Sequence, residues 1–288
     1  MGDPIMKGKA VPHMIGLFPL GMMSLFFLAP LAFMVVVSFY ERDPLGFYKV
    51  AFVWDNYSKF FSSFYYVISL RSLWSASLGA VIVVLLAFPA MYIIVDMSRR
   101  WQLFWVILLL SLMCLSEVII GFAWLILFSE NSGIPKFLGW AGLWEDPRSL
   151  SPSFGAMMVG YVTLGFSLVA LMFLPQLARR DRSIEEAALT LGTPPMRVFS
   201  KVILPNFKAG LISALVTMFV YFLGVFVMPT MLGRPQDWNM TVIITDKAVG
   251  DANMPLGAAL SVVMLIFTLI IIGSLAYASR TREQGERS

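Results

Sequence analysis

Six apolar segments, each of about twenty residues or more, leave this 288-residue chain few ways to fold. They run approximately from Ile15 to Tyr40, Leu70 to Val95, Trp101 to Phe128, Phe154 to Leu177, Leu211 to Leu232 and Leu256 to Ala278. A hydrocarbon layer about 30 Å thick is crossed by about 20 residues of helix. The runs are continuous rather than alternating in polarity, which rules out a barrel of two-faced strands, so backbone hydrogen bonds must close within helices. A 59% hydrophobic fraction with 13% charged residues agrees, since soluble chains hold about 45–50% and about 25%. The expected fold is an all-α integral membrane protein with six transmembrane helices. The first segment is too long for the apolar region of a signal peptide and lacks a small-residue cleavage site, so it reads as a retained span.

Charge orients the bundle. Thirteen Lys and Arg fall on one side: Lys7 and Lys9, Arg99 and Arg100, six between the fourth and fifth spans, and three in the tail. The other side holds eight, accompanied by nine acids. By the positive-inside rule both termini and the fourth-to-fifth connection face the cytoplasm. The net charge of +4 is accounted for by this topology, and nucleic-acid binding need not be invoked. On the opposite side the loops are longer and carry Phe137, Leu138, Trp140, Leu143 and Trp144; short helices lying at the membrane interface, where Trp is favoured, or a surface receiving a soluble partner both fit.

Cysteine and histidine occur once each, as Cys114 and His13, so one chain assembles no disulfide, zinc site or Cys/His dyad. Cys114 reads as a small packing residue in an apolar run. No Gly-x-x-x-x-Gly-Lys-Ser/Thr loop is present, so a phosphate cradle for ATP must come from another polypeptide. A membrane-embedded enzyme would need a second ionisable partner at depth, and no span supplies one.

The cytoplasmic connection carries its own local signals. Ser183-Ile184-Glu185-Glu186 has capping-box spacing, Gly192 suits a left-handed position after a helix, Thr193 suits a cap and Pro194 a first helical position. The expectation is helix, tight turn, helix, the second running from about Pro195 to Leu204 and stopped by Pro205. Glu186-Ala187-Ala188, then Gly192, then Val202-Ile203-Leu204-Pro205 is similar to the signature of permease subunits in bacterial binding-protein-dependent ABC importers, with Val202 where Ile is usual. The resemblance extends over a five-span core from about residue 70 to 278, with the coupling insert at 178–206. Residues 1–69 are then an added first span and exoplasmic loop, and 279–288 a cytoplasmic tail.

That resemblance implies a type I ABC importer permease fold in which the insert is a coupling helix docked on an ATP-binding subunit. Ala187 and Ala188 would permit close approach, Gly192 would set the turn, and Glu185 and Glu186 would present charge, unless Glu186 only caps and Gly192 only turns. The implied partners are a dimer of ATP-binding subunits, which would hold ATP and Mg, a second permease that is expected to be a different chain, and an exoplasmic solute-binding protein. The chain itself would need no cofactor and would not be an enzyme.

Ionisable groups inside spans are costly and are candidates for a transport pathway. Glu117 is the clear case, facing the bundle interior to attract a cationic solute, or else pairing with Arg71 or Arg148 or making a helix-packing hydrogen bond. Helix breakers at Pro89, Gly160, Gly165, Gly224 and Pro229 mark places where walls bend, and Tyr161, Phe166, Tyr221 and Phe222 stand near them, suited to stacking on a cation or to packing. The runs Gly224–Gly233 and Asp251–Ala259 resemble the spermidine/putrescine branch of these permeases, apart from Arg234 where a second Gly is common. The expected cargo is a polyamine. Opines, aminophosphonates and other small amines are alternatives within the class, and an ATP-independent carrier is the alternative outside it.

Overall fold

The computed structural model describes residues 13–44, 46–144 and 148–285. Lys7, Lys9 and Arg287, used above for orientation, lie outside them. Among the described residues the chain is helical, with one isolated antiparallel bridge between Glu41 and Lys49. It packs as two units.

The smaller unit joins the described residues of Met1–Phe61 to Ile244–Ile266. It holds α1 (His13–Val37), the short α2 (Asp55–Phe60) and the start of α14 (Met254–Gly285). The turn after α1 buries Ser38, and its carbonyls are not left orphaned: the Asn56 side chain donates to Ser38 O at 3.1 Å and Tyr40 O at 2.9 Å. Arg42 donates to Asp251 O at 2.6 Å, where Lys247 also reaches the Asp251 carboxylate at 2.6 Å.

The larger unit is built on α3 (Ser63–Asp96), whose 34 residues make a rod of about 50 Å, longer than the hydrocarbon is thick. Against it pack α7 (Phe154–Ala178) and α11 (Lys208–Gly224). The remaining helices are α4 (Arg99–Met113), α5 (Glu117–Leu127), α6 (Gly133–Trp140), α8 (Arg182–Thr190), α9 (Pro195–Val198), α10 (Leu204–Asn206), α12 (Val227–Leu232) and α13 (Met240–Thr245). In α6 the rings of Phe137 and Trp140 stay exposed, which fits an interfacial helix and a partner-binding surface equally.

Not all of the six expected spans are single uninterrupted helices. Among the described residues three helices are long and apolar enough to cross a membrane: Ser63–Asp96, Phe154–Ala178 and Met254–Ser274. The third predicted span breaks at 114–116 and bends by 99° between α4 and α5, and Pro195–Asn206 meets α11 at 72°. Counting each bent pair as one span gives up to five among the described residues, and the apolar α1 (His13–Val37) is a further helix of 25 residues. The fifth predicted span also breaks, at Val225 and Phe226, between α11 and α12. Breaks inside an apolar run are invisible to hydropathy because the residues flanking them remain apolar.

The predicted breakers divide by role. Gly224 does end α11, and Pro229 falls at the third position of α12, where its missing N–H has no intrahelical partner to lose. Pro89 and the two α7 glycines sit within continuous helices instead. Gly160 and Gly165 serve close approach: a Cβ on Gly165 would lie 2.8 Å from Phe222 Cζ, and one on Gly160 would lie 2.7 Å from Met228 Sδ. Cys114 stands exposed at the end of α4 rather than packed.

This packing generates a prediction. Gly165→Val is expected to lower stability by about 1–3 kcal/mol, the usual cost of overpacking, read as a lower melting midpoint of the detergent-solubilised protein. Gly224→Ala, with nothing within 4 Å of its Cβ position, is expected to leave the midpoint unchanged. Equal midpoints for both would show that α7 and α11 are not held at this separation.

Candidate functional site

The insert between α7 and α11 begins one step earlier than its sequence suggests. Asp181, in an extended conformation, is the N-cap of α8, and its carboxylate accepts from Ser183 N at 2.9 Å. Ser183 is therefore already helical and does not form the expected box with Glu186; Asp and Ser cap equally well, and the earlier one starts the helix. Hydrogen bonds from Ser183 hold the Asp181 carboxyl below the usual carboxylate range.

At the other end the expectation for Gly192 is met. Its φ is +80°, Gly192 N donates to Leu189 O at 2.9 Å and Thr193 N to Ala188 O at 3.2 Å, the paired bonds of a Schellman turn. Pro194 rather than Thr193 precedes α9, and Pro195 takes the first helical position. Pro205 does not stop the second helix. Having no N–H, it cannot bond back to Lys201 O, and the turn before it widens so that Leu204 N bonds Phe199 O, five residues back. The chain stays helical to Asn206 and turns at Phe207.

The helix α8 buries no side chain. Glu186 and Ala187 are exposed, and Ala188 half-exposed. Ile184, Leu189, Leu191 and Met196 are exposed apolar residues on this insert, Leu191 at 84%. Glu185, expected to present its charge outward, points inward. Its side chain is 15% exposed, accepting from Arg180 Nε at 2.9 Å and from Tyr92 OH at 2.9 Å.

Arg180 organises this corner. Its side chain is 4% exposed and bridges Glu185 of α8 and Asp96 at the end of α3, while its guanidinium lies 4.7 Å from the Tyr92 ring centroid. Arg182 adds a 2.7 Å bond to the other Asp96 oxygen. Burial opposes the Arg180 charge, but the hydrogen bonds and charges of Asp96 and Glu185 outweigh it and raise its pKa. Aromatic contacts extend the corner: Tyr92 meets Phe199 edge-on at 5.6 Å, and Phe88 lies 5.0 Å from Phe173 and 5.6 Å from Phe207. Sequence reasoning counted Arg180 as one basic charge among many and passed over Tyr92 and Asp96, which stand more than eighty residues away. A lone Tyr-x-x-x-Asp at a helix end carries no signal of its own.

A second cluster lies where the spans are broken. Glu117 occupies the first turn of α5, after a Ser116 cap that accepts from Val118 N at 3.3 Å. A carboxylate there is favoured by the helix dipole, and it accepts from Tyr221 OH at 2.9 Å. Arg71, one of the expected alternative partners, instead donates to Gln236 O. Tyr161 and Phe222 stack at 4.7 Å in the buried core, and Asn239 approaches Tyr161 OH at 3.4 Å. Of the four residues expected along a pathway, Glu117 and Tyr221 are half-exposed and paired, and Tyr161 and Phe222 form the wall behind them.

Residues 96–283 match the family described as the binding-protein-dependent transport system inner membrane component. The spermidine/putrescine transport system permease protein PotB of Salmonella typhimurium is 22% identical over 246 residues, covering 85% of this chain and 86% of that protein. The sn-glycerol-3-phosphate transport system permease protein UgpA of Pectobacterium atrosepticum is 25% identical over 278 residues, covering 93% and 92%. A chain of a bacterial alginate ABC transporter, solved with its alginate-bound periplasmic protein, superposes with a TM-score of 0.77 at 15% identity over 93% of each chain. The insert, the bent spans and this match agree: the chain belongs to the inner-membrane components of binding-protein-dependent transport systems, the multi-pass, non-catalytic permease subunits of ABC importers.

Proposed function

We propose that this permease is one half of the pore of an ATP-driven importer for a small cationic solute, a polyamine such as spermidine or putrescine, moved by alternating access. The observation that carries the cargo assignment is the Glu117 carboxylate at the broken span, paired with the half-exposed ring of Tyr221. A carboxylate attracts an ammonium group and repels a phosphate, and the hydroxyl that holds it keeps it oriented without neutralising it. The name carried by the polyamine permeases supports the same cargo. The sn-glycerol-3-phosphate relative fits Glu117 poorly, because its cargo bears the same sign of charge.

The pore is completed by a second permease, a different chain, and a soluble binding protein delivers solute on the exoplasmic side. ATP and Mg are held by a dimer of ATP-binding subunits on the cytoplasmic side, where both termini and the insert lie. The permease core spans residues 70–278, with the insert at 178–206. Docking runs through Glu186, Ala187 and Ala188 of α8, with Glu185 anchored behind them, Gly192 setting its exit and Pro205 widening the helical turn ahead of α11. Closure of the ATP-binding dimer draws the two inserts together, and the bundles rock to exchange outward for inward access.

Two experiments test these assignments in proteoliposomes holding the full transporter. Glu117→Gln removes a charge-assisted contact worth about 1.5–3 kcal/mol; labelled putrescine uptake is expected to fall roughly tenfold or more while the complex assembles normally. Wild-type uptake by this variant would remove Glu117 from the pathway, and competition by glycerol phosphate but not by polyamines would overturn the cargo. Gly192→Asp places a β-carbon and a charge at φ +80°, which L side chains rarely adopt. It is expected to leave the chain inserted and to abolish uptake, and normal uptake would end the coupling assignment.

A further inference from the structure

We propose that Arg180 is the positioning residue that fastens the α8 insert to the end of α3, so that α3 rather than α7 alone carries motion of the insert into the bundle. The inference rests on reading α8 as the element on which the ATP-binding subunit acts.

The covalent path from α8 to α7 is the short link 179–181, which is a pivot as readily as a lever. With no side chain of its own buried, α8 has little apolar contact by which to drag a neighbour. Van der Waals contacts resist compression and yield to separation. A bridged ion pair resists both, and Arg180 supplies one in which its own charge and that of Glu185 are largely covered while Asp96 stays partly exposed: Nε to Glu185 in α8, a terminal nitrogen to Asp96 in α3, and the guanidinium face over Tyr92 in α3. The Tyr92 hydroxyl closes the loop on Glu185. Lysine cannot reproduce this arrangement, because an ammonium lacks the planar fork that serves two carboxylates while stacking on a ring.

What α3 does with the motion follows from its far contacts. Seventeen residues before Asp96, roughly 26 Å along the helix, Gly79 lies against Tyr161 and Phe222, with its Cβ position 3.0 and 3.1 Å from their rings. Phe222 adjoins Tyr221, whose hydroxyl holds Glu117. A shift of α3 pulled at Asp96 therefore reaches the wall behind the Glu117 site with no slack between the rings and the helix backbone.

The test uses the complete transporter, both permeases with ATP-binding subunits and binding protein, in proteoliposomes. Cys114 is replaced by Ser, and spin labels are placed at Leu189→Cys in α8 and Ile93→Cys in α3, both exposed positions. Arg180→Lys is expected to assemble and hydrolyse ATP, yet to transport roughly tenfold less solute per ATP, the change expected for loss of one charged contact. The label distance, constant through the ATP cycle in the parent, is expected to change with nucleotide in the variant; a merely structural role would leave it constant. Should Arg180→Lys fail to assemble, Asp96→Asn with Tyr92→Phe is expected to show the same nucleotide-dependent distance. Wild-type transport per ATP, or a constant distance in whichever variant assembles, would overturn the inference. Gly192→Asp separates the two levels: if it blocks uptake while Arg180→Lys transports normally, only the role of Arg180 falls, and if both transport normally the coupling reading falls with it.

Discussion

A backbone amide or carbonyl inside hydrocarbon has no water to bond, and this constraint governs where the bundle is able to break. Each interruption has local repairs at hand. At 114–116 the Ser116 hydroxyl caps α5. At 225–226 the Asn239 side chain donates to Val225 O at 2.7 Å, and Thr241 bonds Leu223 O. Asn239 also caps the start of α13 through Val242 N at 3.0 Å. Polar side chains gather where a helix opens, and the hydrogen-bonded pair of Glu117 and Tyr221 stands at such a place.

Close packing of α3, α7 and α11 gives those breaks a rigid frame. Glycines at 79, 160 and 165 let rings and thioethers approach the helix backbone, and the Tyr161 and Phe222 stack is fully buried among them. Close packing of this kind is what the proposed transmission along α3 requires, since a loosely packed bundle would absorb a displacement. The insert differs: α8 leaves most of its residues exposed and is anchored at one corner through Glu185.

Much of this was legible in the chain. Apolar runs revealed membrane helices because their length matches a physical thickness, and Gly192 was placed correctly because few residues other than glycine accept the backbone of a Schellman turn. Errors arose where two residues were chemically equivalent for a role, as with Asp181 and Ser183 at the cap, or where a residue known as a breaker was tolerated by a local adjustment, as with Pro205 and its widened turn. Gly160 and Gly165 were read as bends because a glycine's neighbour across a helix interface is not written beside it.

What the sequence by itself determined is everything that depends on local composition and spacing: the membrane class, the helical state, the charged insert with its glycine turn, and the carboxylate set among apolar residues. Only the tertiary structure decided which distant groups meet. Arg180 finds Asp96 and Tyr92 across more than eighty residues, and Glu117 finds Tyr221 across more than one hundred. The physical reason is that a partly buried charge takes whichever partner the helix packing brings within hydrogen-bond reach, and that packing is set by side-chain shape on several helices at once rather than by any pattern along one of them.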